Sequence, residues 1–376
     1  MDRFCFIAIV KDESPVIERC LESVKGIMTS WLICDTGSTD DTVEKIQKYL
    51  GDVPGEVIKT EWVSYGETKS WLLERVHEKV KAEYIFWLDA DEVLSTRLDK
   101  EVYPTKEDAD RLYAALASQT APITYFTCKY SSTRYIRPQI ARNNQLYQWR
   151  LPYQEYFVGT KDSTNKVVDG FYNIARHEGN SSRDPEIHKK REKMALSWLE
   201  RQEEDYNNPD YLRMMYYLGE LYSCMKGEEC KKKAIKYYQL RTIGLTYPEE
   251  RYAAYLGWAD LEKDVIVKER ILKAAIQTCP KRLEAYTKLM LILRLQRRYD
   301  EAYALSKKAG DPPKKYPQGL FIDTAVYSYA YNLERSLAAY CTGNKQLFVD
   351  ITMQLYKRKD LPQHVRDIVE GNMKYI

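Results

Sequence analysis

Seven consecutive apolar residues, Phe4 to Val10, stand between Arg3 and Lys11 and include aromatic and β-branched members. A run of that length fits a strand buried on both faces of a parallel sheet. Behind it come Ser14-Pro15 and then Val16, Ile17, Cys20, Leu21 and Val24 at helical spacing. Ser as cap with Pro at the first position predicts a helix there. The alternation repeats at once. Trp31 to Cys34 reads as a second strand, Thr36 to Asp40 as a polar turn, and Val43, Ile46, Gln47 and Leu50 as the stripe of the next helix. Val57 to Trp62, Thr68 to Val80 and Tyr84 to Leu88 predict a third strand, a third helix and a fourth strand. Strands alternating with helices imply an α/β, Rossmann-like parallel sheet with right-handed crossovers. Its ligands are expected beyond the carboxyl ends of the strands.

From Arg183 onward the period changes. No strand-like run appears, and Lys189 to Leu199 begins a long helical stretch. Pro209, Pro248 and Pro280 each lead into a helix, a spacing that points to helical hairpins of roughly 34 residues. Leu218-Gly219 with Tyr222, and Ala234 with Tyr238, match the small and aromatic positions of the tetratricopeptide pattern; Leu256-Gly257 repeats the first element, and Tyr299 to Ala309 reads as another second helix. The expectation is an α/β domain over residues 1–181 followed by an all-α, tetratricopeptide-like helical domain over 182–376. Gly310-Asp-Pro-Pro-Lys-Lys315 interrupts the array, and helices from about 322 to 372 cap it.

Charge sharpens that division. The net charge of +3 conceals a first region with 23 Lys and Arg against 28 Asp and Glu, net −5, and a remainder with 35 against 27, net +8. Twenty of the 32 Tyr fall in the second part, where repeat core explains them better than a ligand cleft. A charge of +8 spread over helical surface is ordinary solvation, which argues against a nucleic-acid partner. The longest apolar run is far short of the roughly 18 to 20 residues that a membrane span needs, and charges close it without a small-residue cleavage site. Neither a membrane span nor a signal peptide is expected. The 8 Cys include no C-x-x-C pair, and the nearest two, Cys224 and Cys230, lack the second pair a zinc site requires. Reduced, mostly buried thiols and a cytoplasmic location are therefore expected.

Acidic residues gather at the predicted strand ends: Lys11-Asp12-Glu13 after the first, Asp35 to Asp40 after the second, Asp89-Ala90-Asp91-Glu92 after the fourth. Asp89 and Asp91 follow an apolar strand directly, so their carboxylates offer oxygen ligands suited to Mg²⁺ or Mn²⁺. Two carboxylates so close repel each other unless a cation is present. An isolated D-x-D would read as a solvated turn; in a ligand-binding architecture, metal binding is the expectation. Capping chemistry accounts for Ser38 to Asp41. It does not require Asp35, whose carboxylate can accept hydrogen bonds from a nucleobase or ribose.

Taken in order, Ile9-Val-Lys-Asp-Glu13, Cys20-Leu-Glu-Ser-Val24, Asp35-Thr-Gly-Ser-Thr-Asp40 and Asp89-Ala-Asp-Glu92 resemble the family 2 glycosyltransferases of the GT-A fold. The resemblance implies inverting transfer of a sugar from a nucleotide diphosphate sugar, with a UDP-sugar the favoured donor and Mn²⁺ or Mg²⁺ as cofactor. It implies that Lys11 and Glu13 flank the nucleotide, that Asp35 contacts the base, Asp89 the ribose or metal, and Asp91 the cation. Lys69, within Gly66-Glu-Thr-Lys69-Ser70, stands where relatives often carry Arg near the diphosphate; a Lys keeps the charge and loses the bidentate fork. Arg137 to Asn143, then Trp149 and Gln154-Glu155, look like the segment in which relatives place an Arg-Asn pair and a His-Glu pair. Gln154 replaces that His, and Glu155 is the expected general base. His177 resembles the late His that completes the metal site, whereas His77, His188 and His364 read as ordinary surface residues. Some relatives of this type also carry helical repeats after the catalytic domain.

With no membrane segment expected, a protein or glycan is the expected acceptor, and the helical domain is a surface for a homodimer or a protein partner. Three other readings compete. A haloacid-dehalogenase-like phosphatase would use Asp89 as nucleophile, but the βα units before it and Asp35 would be unexplained. A nucleotidyltransferase would need a Gly-rich basic loop after the first strand, which Lys11-Asp-Glu-Ser14 is not. A helical-repeat scaffold with an inactive GT-A domain would lack donor turnover.

Overall fold

β1 (Phe4–Val10) sends alternate side chains into two different cores. Phe4, Phe6, Ala8 and Val10 pack with Ile17, Cys20, Leu21 and Val24 of α1 (Ile17–Lys25). Cys5 and Ile7 face the opposite way, toward Leu72, Leu73 and Val76. Burial on both faces explains why the run is uninterrupted. β2 (Ser30–Asp35) and β4 (Tyr84–Trp87) flank β1 in parallel, and β3 (Gly55–Lys59) lies parallel outside β2. The crossovers are α1, α2 (Thr42–Leu50) and α3 (Tyr65–Lys79). In this computed structural model the described residues are 2–130, 133–159, 166–313 and 320–376.

The sheet does not stay parallel. After β4 come β5 (Val93–Ser95), α4 (Lys106–Ala117), β6 (Ile123–Tyr130), β7 (Thr133–Arg142), β8 (Tyr147–Arg150), β9 (Tyr156–Gly159) and β10 (Lys166–Ala175). The strand order is β3-β2-β1-β4-β7-β6-β10-β5, with β7 antiparallel to both β4 and β6, β10 parallel to β6, and β5 antiparallel at the edge. β8 and β9 form a separate antiparallel pair. The wholly parallel sheet expected from the first four strands is thus a mixed one. β6 and β7 follow each other closely, and neighbouring strands joined by a short link can pair only antiparallel.

Two local expectations also change. Ser14 does not cap α1, because its hydroxyl is engaged by Asp41 and by Lys45 Nζ at 2.7 Å. The helix begins at Ile17, after a turn in which the amides of Val16 and Ile17 both donate to the Glu13 carbonyl. The third strand ends at Lys59, and Ser64, accepting from the Glu67 amide, starts α3 at Tyr65.

α5 (Asn180–Arg183) and α6 (Ile187–Glu200) complete a first compact unit, residues 1–201; residues 202–376 form the second. The composition change after residue 181 therefore precedes the end of the first unit. Within the second, α7 (Pro209–Cys224), α8 (Glu228–Ile243), α9 (Pro248–Leu261), α10 (Val265–Thr278), α11 (Glu284–Leu295) and α12 (Tyr299–Ala309) pack successively. After α12, Gly310 adopts φ +77°, and residues 314 and 315 of the predicted interrupting segment lie outside the described residues. A π-helical turn, Val326–Ala330, runs into α13 (Tyr331–Cys341), followed by α14 (Lys345–Tyr356) and α15 (Gln363–Asn372). Pro209 and Pro248 occupy the first turns of their helices, whereas α11 starts only at Glu284, beyond Pro280.

The two expected Leu-Gly elements have one physical cause. A Cβ on Gly219 would lie 2.6 Å from Tyr238 Cδ1, and one on Gly257 2.5 Å from Tyr238 Cζ. The buried Tyr238 ring of α8 is clamped between glycines of α7 and α9, and its hydroxyl is tied to Glu220. Gly219→Ala and Gly257→Ala should each cost about 1–3 kcal/mol through overpacking. Thermal unfolding followed by circular dichroism checks this; unchanged melting in both variants would mean that the ring is free to step aside.

Candidate active site

The loops after β1 and β2 are clipped to each other by short polar side chains. Asp12 takes φ +53°, and its amide donates to Ser38 Oγ at 3.0 Å while its carboxylate accepts from the Thr39 amide at 2.7 Å. The Glu13 amide donates to Thr42 Oγ1 at 2.8 Å, and that of Ser14 to Asp40 at 3.2 Å. Asp35 is buried, and its Oδ1 accepts from the Ser38 amide at 3.0 Å. One oxygen of the expected base-binding residue therefore shapes the turn. Lys11 is exposed at the end of β1.

At the end of β4, Asp89 faces two cations. Lys69 Nζ lies 3.1 Å from Oδ1, and Arg137 Nη2 3.1 Å from Oδ2. Partial burial pushes the Asp89 carboxyl up, but the two cations outweigh it and hold it well below the usual carboxylate range. The same Lys69 reaches Glu155 Oε1 at 2.7 Å and sits 4.9 Å over the Trp149 ring. Burial pulls the ammonium down, while Asp89 and Glu155 more than restore it, so Lys69 titrates above its ordinary value. α3 can present Lys69 here because Gly66 passes close to the chain, where a Cβ would meet the Leu151 carbonyl oxygen at 2.1 Å. Ser70 Oγ then pins the helix to β8, accepting from the Trp149 amide at 2.8 Å and donating to its carbonyl at 3.0 Å.

Asp91 and Glu13 meet a different partner, the backbone following His177. Asp91 Oδ2 accepts from the amides of Glu178 and Gly179, each at 2.8 Å, and both Glu13 oxygens accept from the Asn180 amide at 3.0 Å. Arg19 ties the segment down, pairing with Glu178 at 2.7 Å and donating to the Asp91 carbonyl at 3.3 Å. Burial pushes the Glu13 carboxyl up to about 7; the Asn180 amide opposes this and the nearby Asp91 adds to it. His177 itself takes φ +56°, and its ring stacks on Tyr130 with centroids 3.9 Å apart.

Among the described residues no three His, Cys, Asp or Glu side chains converge as a metal cage. A hard divalent cation does not require such a cage. Mg²⁺ and its like are commonly held by one or two carboxylates together with substrate phosphates rather than by an all-protein shell. Both oxygens of Asp89 are engaged by Lys69 and Arg137, whereas Asp91 Oδ1 takes no hydrogen bond among the described residues. The donor set therefore fits a cation at Asp91 better than one shared with Asp89.

Several functional contacts were not legible beforehand. Arg142 and Asn143 are fasteners: Arg142 Nη2 donates to the Leu116 and Gln119 carbonyls, both at 3.0 Å, and Asn143 Nδ2 to those of Val80 and Ala82. The cation that reaches the site from this segment is Arg137. Its signal was the two-residue interval to Gln139, which places both side chains on one face of β7. Asp12, Arg19 and Ser70 carried no pattern of their own.

Residues 5–171 match the model of the family described as Glycosyl transferase family 2. An uncharacterized glycosyltransferase of Rickettsia prowazekii is 35% identical over 102 residues, 27% of this chain and 32% of that protein. The SPbeta prophage-derived glycosyltransferase SunS of Bacillus subtilis is 36% identical over 87 residues, 23% of this chain and 19% of that protein. The matches thus span about a third or less of these curated relatives. Among solved structures, S. aureus TarS 1-349 in complex with UDP-GlcNAc is 12% identical, covering 81% of this chain and 90% of that one with a TM-score of 0.40.

Proposed function

We propose that this chain transfers a sugar, with inversion, from a nucleotide diphosphate sugar to a protein or glycan acceptor. The observation that carries the reading is the convergence of Lys69, Asp89 and Glu155 at the end of β4, inside a segment that matches a glycosyltransferase family. Lys11, Glu13 and Asp35, on the adjoining strand ends, would receive the nucleotide, with UDP the favoured one. Asp91 would hold Mn²⁺ or Mg²⁺, with His177, which precedes the amides that Asp91 accepts from, as the second candidate ligand; such a cation neutralises charge growing on the departing diphosphate. Lys69 adds its ammonium on the same side. Glu155, with Oε1 fixed by Lys69, takes the acceptor proton as the new bond forms.

The phosphatase alternative is disfavoured by Asp89 itself, since a nucleophilic carboxylate needs an unencumbered oxygen and both of its oxygens face a cation. The tetratricopeptide-like second unit would bind acceptor, a partner protein or a second copy. No helix among the described residues is long and apolar enough to cross a membrane.

The test is a thermal-shift series with UDP-glucose, UDP-N-acetylglucosamine and GDP-mannose, each with and without Mn²⁺. A ligand at a hundred times its Kd stabilises the folded chain by about 2.7 kcal/mol, so one donor should raise the melting temperature by several degrees and be turned over to free nucleotide diphosphate. Identical melting curves throughout the series would sink the glycosyltransferase reading.

A further inference from the structure

Arg137 is anchored through its other terminal nitrogen as well. Its Nη1 pairs with Glu92, a carboxylate only 3% exposed. Glu92 Oε2 in turn accepts from Asn173 Nδ2 at 2.9 Å and from the Asp89 amide at 3.0 Å. Asn173, fully buried on β10, also donates to Gln139, and Gln139 Nε2 donates to the Trp87 carbonyl at 2.6 Å. Groups from β4, β7, β10 and the loop after β4 are thus joined in one polar cluster, most of it closed to water.

A buried ionic cluster of this kind is a poor source of stability, because the desolvation of its charges offsets most of their attraction and well-packed apolar residues would serve as well. Its geometry has a more specific consequence. The guanidinium is a rigid plane, with Nη1 on Glu92 and Nη2 on Asp89. Asp89 is therefore gripped at both oxygens, by Arg137 on one and Lys69 on the other, and cannot rotate without breaking an ion pair. Lys69, held between Asp89 and Glu155, inherits that fixed position. The order of contacts is Asn173, Glu92, Arg137, Asp89, Lys69, Glu155.

We propose that Arg137 is a positioning residue: anchored by buried Glu92, it fixes the Asp89 carboxylate so that Lys69 is presented to the donor diphosphate in one place. This rests on the glycosyltransferase reading above. Arg137 acts through Asp89 and does not itself touch the donor. Removing it frees Oδ2, lets the carboxylate turn, and lets Lys69 drift toward Glu155.

The test is a double-mutant cycle read by calorimetric titration of UDP and of GDP, with Mn²⁺ present, into the full chain, Arg137→Gln, Asp89→Asn and the double variant. Arg137→Gln should weaken nucleotide binding by about tenfold, the scale of one charge-assisted contact. The double variant should bind no more weakly than Asp89→Asn alone, because the effect of Arg137 passes through that carboxylate. Glu92→Gln, which keeps the shape of the anchor, should weaken binding in the same direction by a smaller factor and serves if Arg137→Gln does not fold. Arg137→Lys should recover only part of the loss, since one ammonium cannot span both carboxylates. A full additional loss in the Asp89→Asn background would overturn the proposal by making Arg137 an independent contact. So would unchanged affinity in both Arg137→Gln and Glu92→Gln. If the unmodified chain binds neither UDP nor GDP, the glycosyltransferase reading falls, and this inference with it, an outcome distinct from the preceding two.

Discussion

Asp91→Asn should fold normally and lose cation-stimulated sugar transfer by about a thousandfold, several kcal/mol of charge stabilisation being what a bound cation contributes to a departing diphosphate. The substitution is selective for a structural reason. Asp91 Oδ2 holds the amides of Glu178 and Gly179 at 2.8 Å each, and the carboxamide oxygen of Asn can still accept both. The 178–180 backbone should therefore stay in place, while the negative charge that attracts a cation is gone. Asp91→Ala supplies the contrast, removing the charge and the acceptor together, and should also lower the melting temperature. Transfer rates would be followed across a Mn²⁺ titration and again under chelator. If Asp91→Asn with Mn²⁺ turns over as fast as the unmodified chain with Mn²⁺, and chelator slows neither, this carboxylate does not serve a metal, and the phosphate charge must be met by Lys69 and other cations.

The distinction between Asp89 and Asp91 marks the limit of what the residues disclosed in advance. The pair was visible as a D-x-D after an apolar run, because burial on both faces makes β1 and β4 continuous in hydropathy. The protein groups that each carboxylate meets were not visible, since they come from far along the chain: Lys69 from α3, Arg137 from β7, and the amides of Glu178 and Gly179 from beyond β10. Sequence spacing constrains neighbours on one strand or helix, whereas a mixed sheet makes its contacts across strands that are distant in order. The same reason hid the second half of the sheet. β6 and β10 mix Tyr, Thr, Lys and Asn among their apolar residues, so no uninterrupted run announces them, and their places beside β7 and β5 follow from pairing alone. In the helical unit the reverse holds. Gly219, Gly257 and Tyr238 lie on consecutive helices, and their short-range contact was present in the spacing of small and aromatic residues.

Glu155→Gln should cut the turnover number by about 10²–10⁴, the contribution typical of a positioned general base, and leave donor binding nearly unchanged. Gln keeps an oxygen where Oε1 now receives Lys69 at 2.7 Å, so the ammonium and, through it, Asp89 retain their arrangement. What the variant lacks is an oxygen able to take a proton. The geometry supports that role: both side chains of the Lys69–Glu155 pair are only 14% exposed, and Oε2 of Glu155 takes no hydrogen bond among the described residues, leaving it for an acceptor hydroxyl. Lys69 in turn orients the carboxylate before the acceptor arrives, so that little reorganisation remains when the proton moves. The informative measurement is turnover number beside donor affinity in the same preparation, by product release and by calorimetry. A fall in turnover with donor affinity retained assigns the proton to Glu155. A fall in affinity with turnover preserved would instead make Glu155 a support for Lys69, and the base would have to come from another residue or from the acceptor.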